Sequence, residues 1–160
     1  MKNWTKLTVS DFEYDEEKVG GARIKFNKQE LIIQIPNSNY ASERNVEFYL
    51  EALSGWIKRG KQIASLTEEK IEEYLPKQKV KPEELDLWML YIGEPDKKKL
   101  PDSEIGKPHE IEFMYRLSGY YVKESNDPDA FGETSKIFLE LGVDNFIIDW
   151  DNPEIFIETY

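Results

Sequence analysis

The sequence predicts an α+β domain: a mainly antiparallel sheet of about seven or eight strands with one αα-hairpin after the third, in the order βββ-αα-β-ββββ. Three observations carry this expectation. Apolar residues recur at period two in short segments at both ends of the chain. Residues 42–59 instead place them at helical spacing. The last third holds strand-like segments joined by connections too short for anything but antiparallel neighbours.

The first strand is expected where Leu7 and Val9 alternate with Lys6 and Thr8, followed by an acidic connector over 11–18. Ala22, Ile24 and Phe26 alternate with Arg23 and Lys25, and Leu31, Ile33 and Ile35 follow after a polar stretch, so a hairpin is predicted. Pro36 cannot donate to a ladder and closes it. Val46, Tyr49, Leu50, Leu53, Trp56 and Ile57 make one apolar stripe on a helix over 42–59. Ser42 is its candidate N-cap, and Gly60 its candidate C-terminal stop. Acids cluster in the first turns and Lys58, Arg59 and Lys61 in the last, which suits the helix dipole. Ser65-Leu66-Thr67-Glu68 has the pattern of a capping box and predicts the start of a second helix that Pro76 ends.

After a basic connector over 77–81, the segment 85–92 is apolar on both faces, as in a central strand. Residues 93–108 read as a long polar loop. Ile111, Phe113 and Tyr115 alternate with Glu110, Glu112 and Met114 in the next strand, which Tyr120 and Tyr121 prolong. A loop over 124–133 follows, then three strands over 136–141, 145–150 and 154–159 in a predicted meander.

All 160 residues are read as one domain, in keeping with domain sizes of about 100–200 residues. The formal net charge is −11, and residues 100–160 hold 4 of the 21 basic residues but 14 of the 32 acidic ones. Such a balance disfavours direct binding to nucleic acid, whose affinity comes from Lys and Arg displacing counterions. With no cysteine, disulfides, thiolate metal sites and cysteine nucleophiles are excluded. No apolar run approaches the ~20 residues of a membrane span and the start lacks a secretory h-region, so a cytoplasmic protein without membrane contact is expected.

Catalytic and cofactor motifs are weak. Asp127, Asp129 and Gly132 fall at positions 1, 3 and 6 of a calcium loop, but Phe131 and Phe138 occupy positions where ligand oxygens are required, which favours a turn. His109 is the single histidine and lacks companions for zinc or for a serine triad. No glycine-rich phosphate loop is present, and no cofactor or metal is expected. Paired carboxylates abound near the C-terminal hairpin, so a carboxylate-based hydrolase is one alternative, and a mimic of nucleic-acid charge is another.

The expected function is therefore a small acidic interaction module. If Ile137, Leu139 and Leu141 face the core, the opposite face of the last strands carries Phe138, Glu140, Ile147, Asp149, Phe156 and Glu158. Cover by a further layer, such as the helix pair, is the ordinary expectation for Phe138, Ile147 and Phe156. Left open, they form an apolar centre with a charged rim, as protein interfaces do. The candidate partner-binding residues are Glu110, Glu112, Phe138, Glu140, Asp149, Trp150, Asp151, Glu154, Phe156 and Glu158, and the expected partner is a basic protein. Small, acidic, cysteine-poor composition is similar to that of toxin-neutralising immunity proteins, a likeness of composition carried by no motif.

Overall fold

The computed structural model describes residues 1–17, 19–74, 85–93, 100–121 and 134–159. Among them run β1 (Lys2–Asn3), β2 (Glu13–Tyr14), β3 (Gly20–Phe26), β4 (Gln29–Ile35), α1 (Glu43–Lys58), α2 (Gly60–Tyr74), β5 (Leu85–Gly93), β6 (Glu110–Tyr121), β7 (Thr134–Asp144), β8 (Ile147–Ile148) and β9 (Glu154–Thr159). The α+β class is as expected, but the sheet has nine strands and is mixed. Strands β3 to β7 lie side by side in chain order. β1 and β2 share the outer edge of β3, and β8 and β9 share the far edge of β7.

Two pairings are parallel, β1 with β3 and β4 with β5. The second follows from the helices between them: an intervening helical crossover returns the chain to the end where β4 began, so β5 runs beside β4 in the same direction. The remaining pairings are antiparallel.

Several local expectations need correction. Leu7 caps the end of a 3-10 turn over Trp4–Lys6 and Val9 opens another over Val9–Asp11, so the two do not form a strand. The Asp11 carboxylate accepts from the Thr8 backbone N–H at 2.7 Å, from its hydroxyl at 2.7 Å and from Lys2 at 2.6 Å, which curls the chain. Part of the expected acidic connector pairs with β3 as β2.

The second helix begins at Gly60, so Ser65 to Glu68 lie inside it and do not cap it. Thr67 there is buried and donates back to the Ile63 carbonyl at 2.7 Å, one turn earlier. Arg59 alone separates α1 from α2, less than the loop of about 2–5 residues that joins an αα-hairpin, so the two are successive segments. Ser42 does cap α1, accepting the Asn45 N–H at 3.2 Å. The predicted stop at Pro76, the connector over 77–81, residues 94–99 of the expected polar loop and the loop over 124–133 lie outside the described residues.

The predicted three-strand meander is also corrected. β8 is only two residues long, and β9 pairs with β7, not with β8. Asn145 and Phe146, both at positive φ, turn the β7–β8 hairpin. The Phe146 ring lies edge-on to Phe48 at 5.5 Å with the Arg44 guanidinium 3.9 Å above it. These contacts offset a backbone cost of about 1 kcal/mol or more for a bulky residue in that region.

Among the described residues, the continuous core lies on one sheet face. Ile24, Phe26, Leu31, Ile33, Leu90, Ile92, Ile111, Phe113, Ile137 and Leu141 are all fully buried there, with Tyr49 and Leu53 of α1 and Ile71 of α2. Trp56 ties helix to sheet by donating its indole N–H to the Tyr115 hydroxyl at 2.6 Å. The buried Asn45 amide donates to the Gly106 carbonyl at 2.6 Å and so pins the segment leading into β6.

Candidate functional site

Strand parity decides what the second sheet face displays. Because Ile111, Phe113 and Tyr115 point into the core, Glu110, Glu112, Met114 and Arg116 of β6 point away from it. The same rule places Phe138 and Glu140 of β7 and Glu154, Phe156 and Glu158 of β9 on that outer face.

The register then assembles rows across the strands. Met89, Met114, Phe138 and Phe156 are opposite one another in succession over β5, β6, β7 and β9, and Ile32 of β4 continues the row. One step along, Tyr91, Glu112, Glu140 and Glu154 form the neighbouring row. An apolar band thus runs beside a band of carboxylates. Phe138 and Phe156 stack with centroids 4.9 Å apart and planes 12° from parallel. Phe138 is buried, yet it stands outside the continuous core cluster, as its position on the second face requires. The helices pack on the opposite face, so they do not supply the cover expected for Phe138, Ile147 and Phe156; Ile147 is 72% exposed.

Directly opposite residues have Cβ atoms roughly 4.5–5.5 Å apart, so Glu112 and Glu140 cannot both ionise without mutual repulsion. Burial, followed by the charges of Glu110, Glu140 and Glu158, pushes the Glu112 carboxyl up to about 7. The Glu110 carboxyl is raised too, by burial first and then by the charge of Glu140 and a hydrogen bond with it. Glu110 lies across from Gly93, and its side chain fills the space a Cβ would take there, so only glycine lets this carboxyl fold over the strand. Farther along β6, Arg116 stacks 3.9 Å above the Trp88 ring.

Seven of the ten candidate residues therefore share this face: Glu110, Glu112, Phe138, Glu140, Glu154, Phe156 and Glu158. The other three stand in the β8–β9 connection. Asp149 accepts from the Asp151 N–H at 3.1 Å and from the Asn152 side chain at 2.7 Å; these bonds hold its carboxyl below the usual range and shape a turn. Trp150 is partly buried, lies 5.9 Å from Phe113 and sits so close to Gly55 that a Cβ there would approach it to 2.7 Å. The Arg59 guanidinium stands 5.0 Å from the same indole. Trp150 therefore locks the connection onto α1.

Sequence reasoning set Met114 beside Glu110 and Glu112 but did not find Gly93, Met89 or Ile32 as parts of this face. For Met89 the cause is a bulge between Leu87 and Met89, which reverses the parity of the rest of β5. Four surface concavities of about 420 to 680 Å³ are formed by described residues, and none is lined by Glu110, Glu112 or Glu140. Among the described residues, no group of three or more His, Asp or Glu is arranged to hold a metal ion. Among the described residues, no helix is long and apolar enough to cross a membrane. Comparison with known protein families, with curated proteins and with solved structures finds no match.

Proposed function

We propose that the protein is an acidic interaction module whose outer sheet face engages a basic protein, in the manner of an intracellular inhibitor or immunity protein that neutralises a toxin or nuclease. One observation carries this reading: the mutually repelling carboxyls of Glu110, Glu112 and Glu140 stand beside the band of Met89, Met114, Phe138 and Phe156. A cationic side chain docking there would relieve the repulsion, and the partly exposed Met89, Met114 and Phe156, backed by the buried Phe138, would supply the desolvated centre of an interface.

A second reading has one observation in its favour. A carboxyl raised to about 7 is what a general acid needs, so Glu112 would be the proton donor of a carboxylate-based hydrolase. That chemistry needs a substrate cleft beside the acid as well as the raised carboxyl, whereas the binding reading draws on the carboxyl row and the adjoining apolar band together. The binding reading therefore accounts for more of the face.

The test is capture of the partner from the native cell at low ionic strength, followed by kinetics. Association should slow by about tenfold or more as salt is raised well past ~0.15 M, where the screening length is about 8 Å. Replacing Glu112 and Glu140 together with glutamine should slow it at low salt and flatten the salt dependence. A rate indifferent to both changes would refute the proposal.

A further inference from the structure

Where α1 gives way to α2, a pocket of about 420 Å³ opens on the helix side of the sheet, away from the carboxyl row and lined by described residues. Its volume falls within the roughly 300–1,000 Å³ of small-molecule sites. Gly60, the first residue of α2, forms part of the wall, and a Cβ there would meet no heavy atom within 4 Å. Phe26, Trp56 and Tyr115 supply aromatic surface, and Ile63, Ala64 and Leu87 aliphatic surface. The rings hold one another in place: Trp56 lies edge-on to Phe26 at 5.6 Å and tilted against Tyr115 at 6.4 Å.

One polar group of this wall is only half satisfied. Tyr115 is 3% exposed, so its hydroxyl has little access to water. The oxygen accepts the Trp56 indole N–H at 2.6 Å, yet the hydroxyl's own proton has no acceptor among the described residues. An indole N–H can only donate, so the pair cannot reverse to satisfy it. Burial raises the affinity of the phenol for its proton, against the opposing effect of the indole bond, so the donor persists at neutral pH. A buried donor without an acceptor carries a desolvation cost that a ligand would recover by supplying one.

We propose that this pocket binds a small neutral aromatic molecule whose carbonyl oxygen accepts the Tyr115 hydroxyl proton. The occupant is neutral for two reasons. An anion would enter beside the Asp86 carboxylate, which also lines the pocket, in a chain of net charge −11. An ammonium or guanidinium group has donors only and would leave the Tyr115 proton as it is. The occupant is aromatic because rings that meet the Trp56, Phe26 and Tyr115 rings gain more than their buried area supplies. This site is separate from the acidic outer face and does not depend on that reading.

The experiment titrates the whole protein with three single-ring probes: acetophenone, the near-isosteric ethylbenzene that lacks the oxygen, and the charged benzoate. The Trp56 indole N–H signal in proton–nitrogen NMR spectra reports occupancy, since that proton bonds the Tyr115 oxygen. Acetophenone should shift it saturably, ethylbenzene should bind about tenfold more weakly, and benzoate should bind most weakly of the three. Tyr115→Phe should remove the preference for acetophenone over ethylbenzene. Ala64→Leu, which fills the pocket and keeps the hydroxyl, should weaken both. Equal affinity for acetophenone and ethylbenzene in the unaltered chain, or a preference that survives Tyr115→Phe, would overturn the proposal by removing the hydroxyl from it. Benzoate binding as tightly as acetophenone would overturn the neutral assignment. No saturable shift at Trp56 with any probe, or acetophenone affinity unchanged by Ala64→Leu, would overturn the site itself. None of these results bears on the outer face, whose test is the salt dependence of partner association.

Discussion

Neighbouring residues of β6 belong to two different environments. Ile111 and Phe113 are fully buried in a continuous apolar core, whereas Glu110 and Glu112, one position away, stand in a row of carboxyls with raised affinity for protons. The core face is saturated: each ring and branched chain has its neighbours, and folding is what satisfies it. The outer face is unsatisfied in a specific sense, because bringing β6 and β7 into register forces like charges together. A sheet can hold both because side-chain direction alternates while the backbone ladder is indifferent to it. The continuous core among the described residues therefore lies on one face, and the carboxyls forced together lie on the other.

The sharpest way to break that contrast is to truncate one residue on each face of the same strand. Phe113→Ala empties a fully buried ring position and should cost about 3–5 kcal/mol in denaturant unfolding. Met114→Ala, next to it on the partly exposed outer face, should cost only about 1 kcal/mol. Comparable losses at the two positions would mean that the outer face is also core.

A smaller effect is expected at Gly93. A methyl there would displace the flexible, half-buried Glu110 side chain, so Gly93→Ala should destabilise by about 1 kcal/mol or less. In a Glu110→Ala background most of that cost should vanish, and a double-mutant cycle measured by thermal unfolding checks the coupling.

Much of this arrangement could be read from the residues alone. The alternation of Ala22, Ile24 and Phe26, and of Ile111, Phe113 and Tyr115, fixes strand and facing together, so Glu110, Glu112 and Glu140 could be placed on a common side. The helix over α1 was equally legible, since its stripe, cap and charges agree. The bulge at Trp88 was not, because one extra residue leaves no mark on composition while it turns Met89 and Tyr91 outward. Leu7 and Val9 alternate like a strand, but Asp11 gathers three local hydrogen bonds that outweigh the pattern. The short connection through Asp151, Asn152 and Pro153 implied neighbouring strands. Trp150, packed on Gly55 and Phe113, holds that connection against α1, and β9 lies along β7. Gly93 carried no signal at all, since its role exists only once Glu110 lies opposite.

A pH-dependent effect bears most directly on the account. A carboxyl whose affinity for protons is higher in the folded than in the unfolded chain favours folding fully at pH below its ordinary value of 4.5, and that contribution is lost as pH rises towards about 7. Glu112→Gln should thus leave stability unchanged near pH 4 and raise it near pH 8, by about 1–2 kcal/mol once screening of a half-exposed group is allowed for. The decisive measurement is a carbon-detected NMR titration of the Glu112 carboxyl, alone and with a lysine-rich synthetic peptide bound. The account predicts a midpoint near 7 in the free protein that falls when the cationic peptide binds. A midpoint at the ordinary 4.5, unmoved by the peptide, would contradict it.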